Sequence, residues 1–125
     1  MSGGSPCRIL RIGFETKVVR RKTLGAEIML PAFVIAEVEV IDPEAFKLYG
    51  SRVAETLERY GGRYIARGGR IESLEGEPPK RVVISTWKSI EDPKRWYRSP
   101  EYSEIIGIRH RTCKSRVFIV EGLAP

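Results

Sequence analysis

Three positions in this 125-residue chain carry side chains suited to holding or moving charge: Arg67, Arg109 and His110. Arg67 precedes Gly68-Gly69, where the missing side chains permit close backbone approach and the guanidinium offers paired donors to a carboxylate or enolate. The same residues serve structure equally well if Arg67 pairs with Glu75 to hold a bent arm and the glycines are required by the turn. Arg109 falls on a helical stripe with Tyr102, Ile105 and Cys113 and so points inward, where a buried charge needs a partner; Glu37, Glu39 or Glu75 could supply it. His110 is the only histidine and could act as a base near neutral pH. Adjacent helical residues point roughly 100° apart, however, so an inward Arg109 turns His110 toward the flank.

Tyr49, Trp87, Trp96 and Tyr102 offer broad apolar faces with polar tips, suited to lining a pocket for an apolar ring or to filling the space between helices and a sheet. With Gly68 and Glu75 they form the set of ligand-binding candidates. One histidine and two distant cysteines, Cys7 and Cys113, lack metal-ligand spacing, so no metal is expected, nor any other cofactor. The phosphate-cradling pattern GxxxxGK[ST] is absent. Glu37 and Glu39 share a strand face, but a catalytic carboxylate pair also needs environments that separate the two pKa values.

The elements that would position these groups follow from period and punctuation. Residues 61 to 87 organise the chain, with β-like runs at Tyr64 to Arg67 and at Arg81 to Trp87, separated by Gly68-Gly69, a polar arm and Pro78-Pro79. Ahead of them, residues 32 to 41 alternate as a half-buried strand. Asp42-Pro43-Glu44 then starts a helix whose stripe of Phe46, Tyr49, Val53, Leu57 and Tyr60 ends at Gly61-Gly62. Residues 89 to 113 read as two helical pieces with a break at Ser99, and Arg116 to Glu121 as a closing strand.

The chain has 22 basic and 16 acidic residues, a formal net charge of +6. Residues 1–28 hold six basic and two acidic residues, leaving 16 basic and 14 acidic beyond them, an ordinary solubilising charge. Residues 1–28 read as a basic N-terminal extension expected to be disordered, with an organelle transit segment as the minor alternative; residues 29–125 read as one domain. Basic residues at 63, 67, 70, 80 and 81 are interleaved with Glu72, Glu75 and Glu77 and lack an aromatic platform for bases, so nucleic acid is not an expected partner. Nor is a membrane, since no apolar run approaches the ~18 residues of a span. Two widely separated cysteines read as free thiols of a cytoplasmic protein.

The order β-α-β-β-α-β with right-handed crossovers gives an α+β, ferredoxin-like domain: a four-stranded antiparallel sheet with its helices on one face. The other face is apolar over much of its length. The expectation is therefore a homodimer in which two such faces meet as a dimeric α/β barrel.

The pieces DPEAFKLY (42 to 49), GGRYIARGG (61 to 69), LEG (74 to 76), RVVISTWKS (81 to 89) and WYRSPEY (96 to 102), with Arg109 and VEG (120 to 122), resemble the domain of unknown function 1330 family within the dimeric α/β-barrel superfamily. The resemblance covers residues 32 to 122 and implies that fold, a dimer, and a cleft between sheet and helices, without a settled reaction. Trp87 stands where such sequences more often have Phe, Lys88 where Pro is common, and His110 and residues 1–28 lie outside the pattern. The combined reading is a homodimer binding a small organic acid or carbonyl compound, as a cofactor-independent enzyme or as a non-catalytic binding module.

Overall fold

In the segment AFVIAEVEV the even-numbered residues share one face, and it forms strand β1 (Ala32–Val40), with Ala32, Val34 and Val38 buried. The computed structural model describes residues 29–125. The N-terminal extension, the transit-segment alternative and Cys7 lie outside the described residues.

Asp42 caps the first helix, α1 (Pro43–Gly50), its Oδ1 accepting the Ala45 N–H at 3.2 Å. The single helix expected here is two. After Gly50 the Arg52 N–H bonds to the Tyr49 carbonyl at 3.1 Å, three residues back instead of four, and this tightened turn separates α1 from α2 (Val53–Glu58). The apolar stripe survives the break: Tyr49, Val53 and Leu57 enter the core, and Phe46 and Tyr60 pack against it. Gly61, at φ +93°, and the 2.9 Å bond from the Gly62 N–H to the Leu57 carbonyl close the segment.

Strands β2 (Arg63–Arg67) and β3 (Arg81–Trp87) follow, then α3 (Glu91–Tyr97), α4 (Pro100–Thr112) and β4 (Cys113–Glu121). The arm at residues 70 to 76 forms no strand. Ser99 divides the two last helices: its Oγ donates to the Trp96 carbonyl at 2.7 Å and accepts the Tyr102 N–H at 3.1 Å, ending α3 and capping α4. Helix α3 starts without a side-chain cap, since Ile90 holds the capping position. Strand β4 begins at Cys113, earlier than expected, because Val40 pairs with Cys113 and the Ile41 and Asp42 N–H groups both bond the Thr112 carbonyl.

The sheet order is β2-β3-β1-β4, with every neighbouring pair antiparallel. The helices cover the face carrying Val34, Ser85 and Trp87, and the core of Val34, Tyr49, Leu57, Trp87, Trp96, Tyr102 and Ile105 lies between. The α+β fold and four-stranded antiparallel sheet are as read from the sequence, but the dimeric α/β barrel is not. The sheet is open, with β2 and β4 as unjoined edges. Four strands are half the roughly eight that enclose a filled barrel interior, so this sheet stays an open layer with its helices on one side. Its other side is uncovered, with Ile65, Phe118 and Val120 exposed at 51%, 40% and 44%. Among the described residues no helix is long and apolar enough to cross a membrane.

Replacing Asp42 with Ala removes the α1 cap and should lower the unfolding free energy by about 1 kcal/mol. Urea denaturation would show this as a lower midpoint with an unchanged slope; an unchanged midpoint would mean that solvent serves the helix end equally well.

Candidate functional site

Strict alternation along β2 would turn Tyr64 toward the helices and Arg67 toward solvent. Instead Tyr64 pairs with Ser85 and Ala66 with Ile84, so Ile65 is an extra residue in the ladder, a bulge. Beyond it the faces exchange, and Arg67 lies opposite Val83, on the helix side with Tyr64. The bulge thus sits at Ile65, ahead of the Gly68-Gly69 pair. Gly68 supplies a bend instead, with φ +72° and its N–H on the Val82 carbonyl at 3.0 Å.

Between this face of the sheet and the helices is a cavity of about 60 Å³. Small residues create the space: Ala36 and Ser85 on its floor and Gly50 on its roof. Most of the remaining wall is apolar, including Val34, Val38, Val83, Phe46 and Leu57, with Tyr49, Tyr64 and Tyr102 adding hydroxyls. Three arginines, Arg67, Arg81 and Arg109, complete the lining, and among the described residues no Asp, Glu or His contributes to it.

Arg109 is 5% exposed. Its Nε donates to the Tyr102 hydroxyl at 3.2 Å and its Nη1 to Ser115 Oγ at 2.5 Å, while the Tyr102 and Tyr49 hydroxyls lie 2.7 Å apart and share a further hydrogen bond. None of the acidic partners considered from the sequence reaches it. Glu37 accepts from Arg116 at 2.9 and 3.1 Å across the opposite sheet face, Glu39 is exposed, and Glu75 is exposed in the loop between β2 and β3. Burial opposes the Arg109 charge, but the facing Tyr102 and Tyr49 oxygens outweigh it and the pKa rises. Burial, followed by the neighbouring Tyr102, raises the pKa of Tyr49 far above the ordinary phenol value. Burial also pushes Tyr64 up to about 12, with Arg67 and Arg81 pulling the other way. At neutral pH the cavity therefore presents fixed cations and protonated hydroxyls, an arrangement suited to holding an anion.

The candidates divide by position. Tyr49, Arg67, Trp96, Tyr102 and Arg109 line the cavity. Trp96 is fixed by donating from Nε1 to Thr56 Oγ1 at 2.9 Å, and its ring centre lies 4.2 Å from that of Tyr102. Arg67 donates to the Gly50 carbonyl at 2.6 Å, with its guanidinium carbon 4.6 Å from the Tyr64 ring centre. Trp87 packs behind Trp96 and against Gly62, outside the lining, and donates to Ser85 Oγ at 2.8 Å. Gly68 lies under the Arg81 side chain, and His110 is exposed on the flank of α4. Among the described residues no cluster of three or more His, Cys, Asp and Glu forms.

Sequence reasoning missed Arg81, Tyr64 and Ser115. The signal for Arg81 is in the pattern: it alternates with Val83, Ser85 and Trp87, so burial of Trp87 turns it inward. Ser115 falls outside the last strand when that strand is started at Arg116.

The family model described as a domain of unknown function (DUF1330) matches residues 31–123. Comparison with curated proteins finds no match. Among solved structures, a protein of unknown function from Rhodopseudomonas palustris is similar with a TM-score of 0.64 at 21% identity, covering 92% of this chain and 95% of that one. Its methylated form gives 0.65 at 21% identity, over 100% and 98%. SnoaB, a cofactor-independent oxygenase from Streptomyces nogalater, gives 0.57 at 13% identity, over 77% of this chain and 96% of that one. At these identities the likeness is one of fold.

Because the folded pKa of Tyr64, about 12, exceeds the unfolded value of 10.0, the neutral phenol is favoured by folding. Its contribution to stability is fully present below about pH 10 and is lost as the pH rises toward about 12. Melting temperatures across that window should fall more steeply for the wild type than for Tyr64→Phe, with Tyr49 leaving a residual slope in the variant. Equal slopes would remove Tyr64 from the explanation.

Proposed function

We propose, for a chain that belongs to the DUF1330 family, that the cavity binds a small, partly apolar organic acid whose carboxylate is anchored by Arg109. The observation carrying this reading is a buried guanidinium in a cavity without a lining carboxylate among the described residues. Two of its five N–H donors are occupied by neutral hydroxyls, and neutral groups solvate a buried cation less well than an anion does. The apolar walls suit a short hydrocarbon portion. Size limits it further: about 60 Å³ is well below the ~150 Å³ that accommodates benzene. A slender, flexible chain of a few carbons fits this narrow space better than a rigid aromatic ring.

Binding is favoured over proton-transfer catalysis because the described lining holds no carboxylate or imidazole, and its raised-pKa tyrosines stay protonated near neutrality. A second reading, cofactor-independent chemistry through an enolate, has one supporting observation: the Arg109–Tyr102–Tyr49 chain is a set of donors already fixed in place. A cytoplasmic site of action suits the free, buried thiol of Cys113.

Calorimetric titration with butyrate should give saturable binding that Arg109→Gln weakens by about tenfold or more. Ala36→Leu, which fills the cavity floor without changing charge, should weaken it similarly in a protein that still melts cooperatively. Undiminished affinity in both variants would remove the cavity from the function.

The uncovered sheet face is the proposed surface for pairing with a second copy, since Ile65, Phe118 and Val120 leave it apolar and exposed. Sedimentation at micromolar concentration should give twice the 14.2 kDa chain mass, and Phe118→Glu should shift the population toward single chains. A wild-type protein sedimenting only at 14.2 kDa would reject the pairing.

A further inference from the structure

Arg81 is the polar group in the cavity wall that the binding of one carboxylate leaves unexplained. Its Nε is buried and has no hydrogen-bond partner among the described residues. No carboxylate lies within ion-pair distance of it there, although Arg52, Arg59, Arg70, Arg95 and Arg116 each have one. The guanidinium occupies space that only glycine leaves open: a Cβ on Gly68 would collide with its Nη1. The side chain is thus cradled in position without an internal counterion, a costly arrangement for a charged group unless something else satisfies it.

Register places this cation relative to the first. Val38 is paired with Arg81 on β3 and with Ser115, the Arg109 acceptor, on β4. Arg81 and Ser115 therefore stand on the same face of the sheet, two strand spacings or about 10 Å apart at the backbone. Arg67, brought to that face by the bulge, adds a third positive charge on the Arg81 side.

We propose that Arg81 forms a second anion subsite, so that the ligand is a short dicarboxylate held by Arg109 through one carboxylate and by Arg81 through the other. This rests on the reading of the cavity as a carboxylate site and specifies its ligand class. Arg81 contributes a fork of N–H donors that includes the unsatisfied Nε, and Arg67 reinforces the field from the rim.

The test compares succinate with butyrate, two four-carbon acids differing in one carboxylate, by calorimetric titration of the intact chain. Wild-type protein should bind succinate at least about tenfold more tightly. Arg81→Gln should erase most of that preference, weakening succinate binding far more than butyrate binding. Gly68→Ala provides a second route, since its Cβ displaces the Arg81 guanidinium while keeping its charge; it should also reduce the preference. Arg70→Gln, which removes an exposed arginine outside the cavity, should leave the preference intact, and melting curves would verify that each variant is folded. Butyrate binding without a succinate advantage overturns the second subsite and leaves the carboxylate site standing. A preference retained in both Arg81→Gln and Gly68→Ala, or lost equally in Arg70→Gln, also overturns it. Absence of binding by either acid overturns both readings.

Discussion

A guanidinium removed from water costs several kcal/mol unless its surroundings replace the lost solvation. Around Arg109 that replacement comes from neutral oxygens on separate elements, so this one charge ties the molecule together. Arg109 and Tyr102 are seven residues apart on α4, about two turns, and therefore share a helix face. Tyr49 reaches them from α1, and Ser115 from β4. The Ser99 cap fixes where α4 begins and hence where Tyr102 points, while the early start of β4 brings Ser115 within reach. Helix pairing, strand register and the cavity wall are thus coupled through a few hydrogen bonds.

Features governed by local period were legible in the sequence. Alternation revealed β1, a run of β-branched residues revealed β3, three-to-four spacing revealed the stripe on α1 and α2, and Ser99-Pro100 marked the break before α4. The inward direction of Arg109 followed from the same spacing. Its partners did not, because a buried basic residue suggests an acidic partner. Alternation already placed Glu37 on the face opposite Val38, so Glu37 could not meet a helix packed on the Val38 side. Hydroxyls are common residues with no distinctive spacing, and nothing local singles out Ser115.

The Ile65 bulge was hidden for a different reason. A bulge belongs to a pair of strands, and a single strand's pattern cannot reveal which residue its partner skips. Its effect is nonetheless decisive, because it places both Tyr64 and Arg67 on the cavity side. The barrel expectation also rested on information beyond the strand pattern. Apolar residues on both faces say that each face favours contact, but closure depends on strand number and curvature, and four strands here remain an open layer.

The balance between binding and chemistry turns on the lining, which among the described residues holds no carboxylate or imidazole to accept a proton. An enolate-forming reaction needs a base within reach of the substrate, and His110, the natural candidate by residue type, is exposed on the wrong flank of α4. The tyrosine hydroxyls are poor substitutes because burial stabilises their neutral forms. What remains is strong, fixed positive potential beside an apolar surface in a small volume. On the proposed reading, such a site would distinguish anions by charge, length and the spacing of their carboxylates before doing anything to their bonds. A reaction here would need a substrate that supplies its own base, whereas selective binding needs only the groups already in place.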